Sequence, residues 1–476
     1  MSSRQLVSGI FWSVIEVIIK RVLDLIVKLV LARLLFPEDF GVIGMATVFI
    51  SFIQVLNEAG MGVALIQKKE EDLTTAHFNT VFWANLFWSI FLYTIIVLFV
   101  APYVVKFYNQ PILGKIVPIL SLSLLTSALN VVHKAQLMKE LSFKKIAFVN
   151  NISTLIAGIA ALIFAYLGVG IWALVINTVL AYFVSVPLFF YQTRWLPKFE
   201  FQALYLKEIL TFGIFTTITQ LIINVVSNAD YLLIGKYVSA SAVGFYSLAF
   251  MMTSLVKGQV TSMLNRVMYP FYSKIQDNIE LLKSYYVRLI KYYAIVLYPL
   301  MLLLIVFGDE IIKLFYGNKW HDAALPMRIL ALAMLISVLT NGYNLLFRSI
   351  GKPKLEMQIQ MILSIIIYLP CIVIGLYFNG YIGIAWGTVV STAINFLIAQ
   401  FLLKKYFRLS VIDLYKSLYP IFLTSILAGG ISYILLIFTS INTFVIILAF
   451  IIIYLIMYVL TLKEEVKFIK SKILKK

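Results

Sequence analysis

The chain has 476 residues, of which 62% are hydrophobic and 13% charged, with a mean hydropathy of +0.97 and a formal net charge of +18. This composition excludes a soluble globular protein and indicates an integral membrane one. A single cysteine, Cys371, excludes an intramolecular disulfide, and three histidines far apart in sequence (His77, His133, His321) predict no metal cluster.

The N-terminal MSSRQLVSG runs into the first apolar segment without an A-x-A-like cleavage site, so no cleaved leader is expected. Apolar windows of about 20 residues, the length that crosses a bilayer as a helix, recur along the whole chain. They lie near 8–32, 40–66, 78–101, 112–133, 146–167, 170–193, 209–235, 242–268, 289–308, 323–347, 355–378, 381–403, 417–438 and 442–462. The expected fold is therefore an all-α integral membrane bundle of about 14 transmembrane helices. The longest connection, from about Met268 to Arg288, reads as a short amphipathic helix between spans.

The first span is unlike the others. Glu16, Lys20, Asp24 and Lys28 recur every fourth residue, with Arg21 beside them. That spacing stacks the side chains on one helix face. Charges inside a span are costly and normally face a protein interior or a watery cavity, so the stripe predicts a polar pathway through the membrane. Two structural alternatives stand beside it. Glu16–Lys20 and Asp24–Lys28 can neutralise each other as i,i+4 pairs, or the helix can lie along the interface.

Loop charge sets the orientation. With the N-terminus inside, cytoplasmic segments hold 28 of the 39 Lys and Arg residues, ending with six lysines between Lys463 and Lys476. The outer loops hold only Arg33, Lys106, Lys115, Lys236, Lys313 and Lys319. This bias places both termini in the cytoplasm. It also assigns most of the net charge to topology and attraction to anionic membrane lipids, not to nucleic acid.

An offset of 203 residues lays LARLLFPEDFGVIGMATVFIS (31–51) over IGKYVSASAVGFYSLAFMMTS (234–254), with identities at Gly41/Gly244, Ala46/Ala249 and Ser51/Ser254. LGVGIWALV (167–175) likewise resembles YIGIAWGTV (381–389). A repeat unit of six spans returns the chain to its starting side, so the two halves would be parallel repeats. The expected divisions are 1–200 (spans 1–6), 201–408 (spans 7–12), 409–462 (spans 13–14) and a basic tail, 463–476. The seventh span carries its own polar row, Gln220, Asn224 and Asn228, followed by Asp230, and an offset of 204 places the row over Glu16, Lys20 and Asp24. Lys257, near the middle of span eight, corresponds to Gln54 in span two.

Several segments in this order resemble the polysaccharide-transporter (Wzx-type) flippases of the multidrug/oligosaccharidyl-lipid/polysaccharide exporter superfamily. They are AR-L-PEDFG, NEAGMGVALIQKKE (57–70), TTAHFNTVFWANL (74–86), LGVGIWALV, ADYLLIGKYVSASAVGFYSLAF (229–250) and YPFYSKIQDNIELLKSYYVRL (269–289). The resemblance covers essentially the whole chain. It implies two pseudo-symmetric six-helix lobes around a central cavity, plus two C-terminal helices. It also implies translocation of polyprenyl-diphosphate-linked oligosaccharide across the bacterial cytoplasmic (inner) membrane by alternating access. The product would feed surface polysaccharide synthesis (O-antigen, capsule or exopolysaccharide), with a polysaccharide polymerase and chain-length machinery as partners. No cofactor and no metal is implied beyond H+ or Na+ as coupling ion.

The residue chemistry agrees with such a substrate. A diphosphate needs cations, which Lys20, Arg21, Lys28 and Lys257 supply, and sugar hydroxyls suit amides such as Gln54, Gln220, Asn224 and Asn228. Each has a structural counterpart. Lys257 can serve an interhelical pair, the amides can be interhelical glue, and Asp230 can anchor a loop instead of carrying a proton as Asp24 can. Arg328 suits snorkelling, and His133 reads as an interfacial residue at a helix end. The rival function is an ion-coupled multidrug-type exporter, which twelve spans would serve. A membrane enzyme, such as a polymerase or ligase, would need a large outer loop with convergent acid/base groups, and the outer loops here are short. No catalytic residue is therefore nominated.

Overall fold

The computed structural model describes residues 3–58, 61–69, 73–438 and 443–461, and all described regular structure is helical. The basic tail 463–476 lies outside the described residues. The chain divides into two units, Met1–Gly244 and Phe245–Lys476.

Unit 1 begins with α1 (Ser3–Leu34), α2 (Pro37–Glu58) and α3 (Met61–Gln67). The PEDFG motif builds the corner between the first two. Pro37 occupies the first turn of α2, where its missing N–H costs nothing. Glu38 and Asp39 sit in the same turn at the positive end of the helix dipole. The Asp39 carboxylate reaches back to accept from the Phe36 N–H at 2.9 Å. Next come α4 (Thr75–Ile95), a π-helical turn (Ile96–Val100), α5 (Ala101–Tyr108), α6 (Leu113–Lys139), α7 (Phe143–Tyr166) and α8 (Trp172–Thr193). The unit closes with α9 (Ala203–Ser227), α10 (Ala229–Tyr237) and the start of α11 (Ala240–Lys274).

The core of unit 1 follows from small residues on α7. Ala157, Ala161 and Ala165 are buried, and a side chain on Gly158 would meet Val27 Cγ2 of α1 at 2.6 Å. Such small faces let membrane helices approach closely where no hydrophobic effect drives them together. Val27, Leu31 and Leu35 of this layer pack against Ala161, Ala173 and Leu174. The α1 stripe therefore has its orientation set by the apolar packing of Val27 and Leu31.

The corner also ties the two repeats together. A Cβ on Gly41 would collide with the Ala240 carbonyl oxygen, and a Cβ on Gly244 would collide with the Pro37 carbonyl oxygen. The 203-residue offset exchanges both pairs: Gly41 becomes Gly244 and Pro37 becomes Ala240. Equivalent ends of α2 and α11 thus cross reciprocally, each glycine seated on the backbone of the other helix.

Unit 2 continues from α11 into α12 (Ile279–Val306), α13 (Gly308–Phe315), a 3-10 segment (Asn318–Ala323), α14 (Ala324–Val338) and α15 (Tyr343–Ser349). It ends with α16 (Pro353–Met361), a π-helical stretch (Ile362–Tyr368), α17 (Leu369–Phe407), α18 (Val411–Phe438) and α19 (Thr443–Thr461). The expected separate helix in 268–288 is absent there. The ends of α11 and α12 absorb the segment, because Asn278 caps α12 by accepting from the Leu281 N–H at 2.9 Å. α12 packs against α14 and α18, and α18 against α19. The Tyr454 hydroxyl of α19 donates to the Ile295 carbonyl of α12 at 2.8 Å. α17 leaves helical geometry at Asn379–Gly380 and folds back, so that Gly375 and Gly383 meet backbone to backbone.

Among the described residues, nine helical stretches are long and apolar enough to cross a bilayer, and Ala240–Leu255 and Phe444–Val459 are shorter apolar helices. One of the nine, Lys354–Phe407, has 54 residues and contains the fold-back, so it holds two apolar segments. The protein is a multi-pass, all-helical membrane protein.

The reciprocal glycine contact makes a stability prediction. Gly41→Ala and Gly244→Ala should each destabilise the detergent-purified protein by about 1–3 kcal/mol, the usual cost of overpacking. Gly258→Ala, whose new methyl meets nothing within 4 Å, should leave the melting temperature unchanged or raise it. Parent-like melting of both crossing variants would show that the helices do not touch at this point.

Candidate functional site

Unit 1 contains a cavity of about 550 Å3 where α1, α3, α6, α7 and α8 converge. α1 contributes Lys20 and Asp24, one turn apart on the charged stripe. From α6 come Ser127, Asn130 and Lys134; from α7, Asn150, Ser153 and Thr154; from α8, Asn177, Thr178, Tyr182 and Ser185. Gly62 and Ile66 of α3 and Phe189 of α8 close the wall with apolar surface. Among the described residues, no ion pair within 4 Å joins Asp24 to Lys20 or Lys28.

The polar groups of this cavity are only partly used by the protein. Asn130 donates from Nδ2 to Ser185 Oγ at 2.8 Å, and Ser185 Oγ donates to the Tyr182 carbonyl at 2.6 Å. Asn130 Oδ1 and Ser153 Oγ are buried with no protein partner. An unsatisfied buried polar atom costs about 1–3 kcal/mol, and both residues stand in the cavity wall. Two lysines, one carboxylate, amides and hydroxyls can hold an anionic, hydroxyl-rich molecule.

Unit 2 contains a separate cavity of about 320 Å3 around Lys257, whose other polar walls come from the α14–α15 junction, α16 and α17. The two cavities divide the nominated residues. Lys20 and Asp24 line the first and Lys257 the second, while the Glu16 side chain lies outside the described residues. Lys20, Arg21 and Lys28 are all exposed on α1, Gln220 is exposed on α9, and Gln54 is half-buried on α2. Asn224 accepts from Ser51 Oγ of α2 at 2.9 Å and from Asn228 Nδ2 at 3.0 Å, so this pair ties α9 to α2. Asp230 is buried at the start of α10, its Oδ1 accepting from the Tyr231 N–H at 2.9 Å. His133 is fully buried near the end of α6, its Nδ1 at 2.7 Å from Thr193 Oγ1. Arg328 is ion-paired to Asp309.

Sequence reasoning missed Asn130, Lys134, Ser153 and the polar face of α8. The signal was present: Asn177, Ala181 and Ser185 lie four residues apart, as do Asn130 and Lys134. It went unread because it is mostly neutral. Among the described residues, no group of three or more His, Cys, Asp or Glu side chains can hold a metal ion.

Residues 30–325 match the family model described as "Polysaccharide biosynthesis protein". The teichuronic acid biosynthesis protein TuaB of Bacillus subtilis is 24% identical, covering 90% of this chain and 89% of its own. The lipopolysaccharide biosynthesis protein WzxC of Escherichia coli is 25% identical over 84% of this chain and 81% of its own. Among solved structures, the lipid II flippase MurJ in an inward closed conformation superposes with a TM-score of 0.77 at 19% identity, covering 96% of this chain and all of its own. An inward-facing multidrug resistance MATE family transporter gives 0.64 at 16% identity, covering 81% and 96%. These likenesses establish a shared fold, and with the family match extending over well over half its length, the chain belongs to the polysaccharide biosynthesis protein family.

Proposed function

We propose that this protein is a flippase. It translocates polyprenyl-diphosphate-linked oligosaccharide repeat units across the bacterial cytoplasmic membrane by alternating access and supplies surface polysaccharide synthesis. The observation that carries this reading is the unit-1 cavity, where two exposed lysines line the same wall as an amide and a hydroxyl that have no protein partner. The names of the relatives place them in polysaccharide biosynthesis, and the MurJ fold is that of a protein named as a lipid II flippase.

The chemistry follows from what the membrane penalises. The polyprenyl tail can stay in the bilayer, but the diphosphate and sugars cannot cross hydrocarbon without losing their hydration. Lys20 and Lys134 would replace water around the diphosphate, while Asn130, Ser153 and Asn177 would replace it around hydroxyls. No covalent bond is made or broken. Asp24, the acid in the same cavity, is the nominated site for H+ or Na+ coupling, with Asp230 the alternative. The halves are assigned to 1–200 and 201–408, with 409–462 added to the bundle, and both termini face the cytoplasm. A polysaccharide polymerase and its chain-length machinery would receive the product on the far side. The second reading, an ion-coupled multidrug-type exporter, has the MATE likeness in its favour. The excess of lysine over carboxylate in the cavity favours an anionic cargo over the cationic drugs such an exporter would carry.

Two outcomes are expected. In vesicles reconstituted with the full chain and a fluorescent undecaprenyl-diphosphate-linked oligosaccharide, Lys20→Ala and Lys134→Ala should each slow flipping about tenfold or more. This is the scale of a lost charged hydrogen bond of about 1.5–3 kcal/mol. Lys20→Arg should keep more activity than Lys20→Gln, and Lys115→Ala on the exposed surface should match the parent. Parent-rate flipping by the Lys20→Ala, Lys134→Ala double variant would remove this cavity from the pathway.

Orientation is checked with Cys371 replaced. In intact cells an impermeant thiol reagent should label an Asn318→Cys variant and spare a Ser471→Cys variant. The reverse labelling would invert the topology drawn from the lysine and arginine bias.

A further inference from the structure

The Lys257 cavity of unit 2 differs in kind from the cavity of unit 1. It is built at a break in a membrane helix. α14 ends at Val338 and α15 begins at Tyr343, and the segment between is held by tight turns: Thr340 N–H to the Ser337 carbonyl at 3.2 Å and Asn341 N–H to the Val338 carbonyl at 3.3 Å. Gly342 takes φ +77°, a conformation that costs a glycine little. Irregular backbone at membrane depth is tolerated where it lines a cavity, and this break does so.

The polar groups around the break are committed in a definite direction. Thr261, one turn beyond Lys257 on α11, sits 2.8 Å from the Tyr293 hydroxyl and donates to Asn341 Oδ1 at 3.4 Å. The Asn341 carbonyl is therefore occupied, while its amide Nδ2 is buried with no partner, in a residue only 9% exposed. The acid of this cavity, Glu356, is taken by Arg348 in a two-point pair at 2.9 and 2.6 Å, and Asn344 Nδ2 donates to Gln360 Oε1 at 3.0 Å one turn away. Lys257 is then the cation whose charge is not matched by an acid among the described residues lining the cavity. A volume of about 320 Å3 holds roughly ten water-sized groups, about the size of one sugar ring.

We propose that this cavity is a glycan-reading subsite for a single carboxylate-bearing sugar, a hexuronate or similar acidic residue of the transported repeat unit. Lys257 receives the carboxylate, the free Asn341 amide donates beside it, and the hydroxyls of Thr340 and Thr392 meet the ring hydroxyls. The charge count separates this occupant from the diphosphate. One ammonium among neutral amides and hydroxyls balances one carboxylate, whereas a diphosphate carries more charge than the lysine supplies. The subsite rests on the flippase reading and adds a preference among its cargoes. A site that pairs a buried charge discriminates strongly against the analogue lacking it, because the lysine and the amide would then be left unsatisfied.

The test uses the purified full chain with three short-chain polyprenyl-diphosphate disaccharides that differ only in the terminal residue: glucuronate, glucose or glucuronamide. Undecaprenyl diphosphate without sugar is the fourth probe. The parent protein should bind the glucuronate form about tenfold more tightly than the other two disaccharides. Lys257→Gln and Asn341→Ala should bring the three within about twofold while leaving the affinity for sugarless undecaprenyl diphosphate unchanged, and Lys257→Arg should preserve the preference. Equal affinity of the parent for all three disaccharides would overturn the subsite and leave the flippase reading intact. Loss of sugarless undecaprenyl diphosphate binding in Lys257→Gln would reassign Lys257 to the diphosphate. Failure of the parent to bind or flip any of the lipid-linked probes would sink both readings together.

Discussion

The structure depends on one constraint: in hydrocarbon, every polar group must find its partner within the protein or on a ligand. In water an unpaired amide is solvated at no cost and says nothing. In a chain that is 62% hydrophobic, each amide and ammonium within a span has a reason to be there. Most spend themselves on the bundle. Asn57 accepts from Ser89 Oγ at 2.5 Å and donates to the Leu124 carbonyl, joining α2, α4 and α6. Asn224 does the same for α9 and α2. Of the groups left over, those of Asn130, Ser153 and Asn341 belong to residues that line the two cavities, whereas Tyr286 and Gln400, also unsatisfied, line neither.

This constraint explains what could be read in advance. The helical segments were legible because a span is a run of apolar residues, and the apolar segments drawn from the sequence are largely helical within the described residues, with 323–347 broken at Leu339–Gly342. The charged stripe was legible because four-residue spacing on a helix is unambiguous, and Lys20 and Asp24 do line a cavity. The other half of that site was not, because Asn and Ser inside a span look the same whether they bond a neighbouring helix or face a cavity. Asn130 and Asn224 occupy similar sequence surroundings, and only the packing of α6 against α8, and of α9 against α2, separates their roles. The absence of a helix of its own in 268–288 has a comparable cause: the Asn278 cap decides where α12 begins, and it is a local contact that hydropathy does not register.

The repeat is the clearest case in which weak sequence evidence has strong geometric content. Three identities over 21 aligned residues carry little weight as a pattern. One of them, Gly41/Gly244, is the position at which two helices touch through their backbones, each against the carbonyl that the offset assigns to it. A side chain cannot be accommodated at either place without moving a helix. The identity is therefore required by the crossing itself, and the surrounding residues are free to drift as long as they stay apolar.

The two cavities show how the same constraint yields two kinds of site. The unit-1 cavity mixes both signs of charge with a broad polar wall drawn from four helices, and its volume is about 550 Å3. The unit-2 cavity is smaller, and its acid is already paired. It is formed where a helix has been opened at Thr340–Gly342. Opening a helix in a membrane exposes backbone groups that cost several kcal/mol each if left alone. In α14 and α15 tight turns recover part of that cost, and polar side chains gather at the opening. A carrier that must accept a lipid-linked glycan and later release it gains from this economy. A site whose partners are already nearly satisfied holds its cargo through one or two remaining groups, and such a hold is specific enough to select and weak enough to let go.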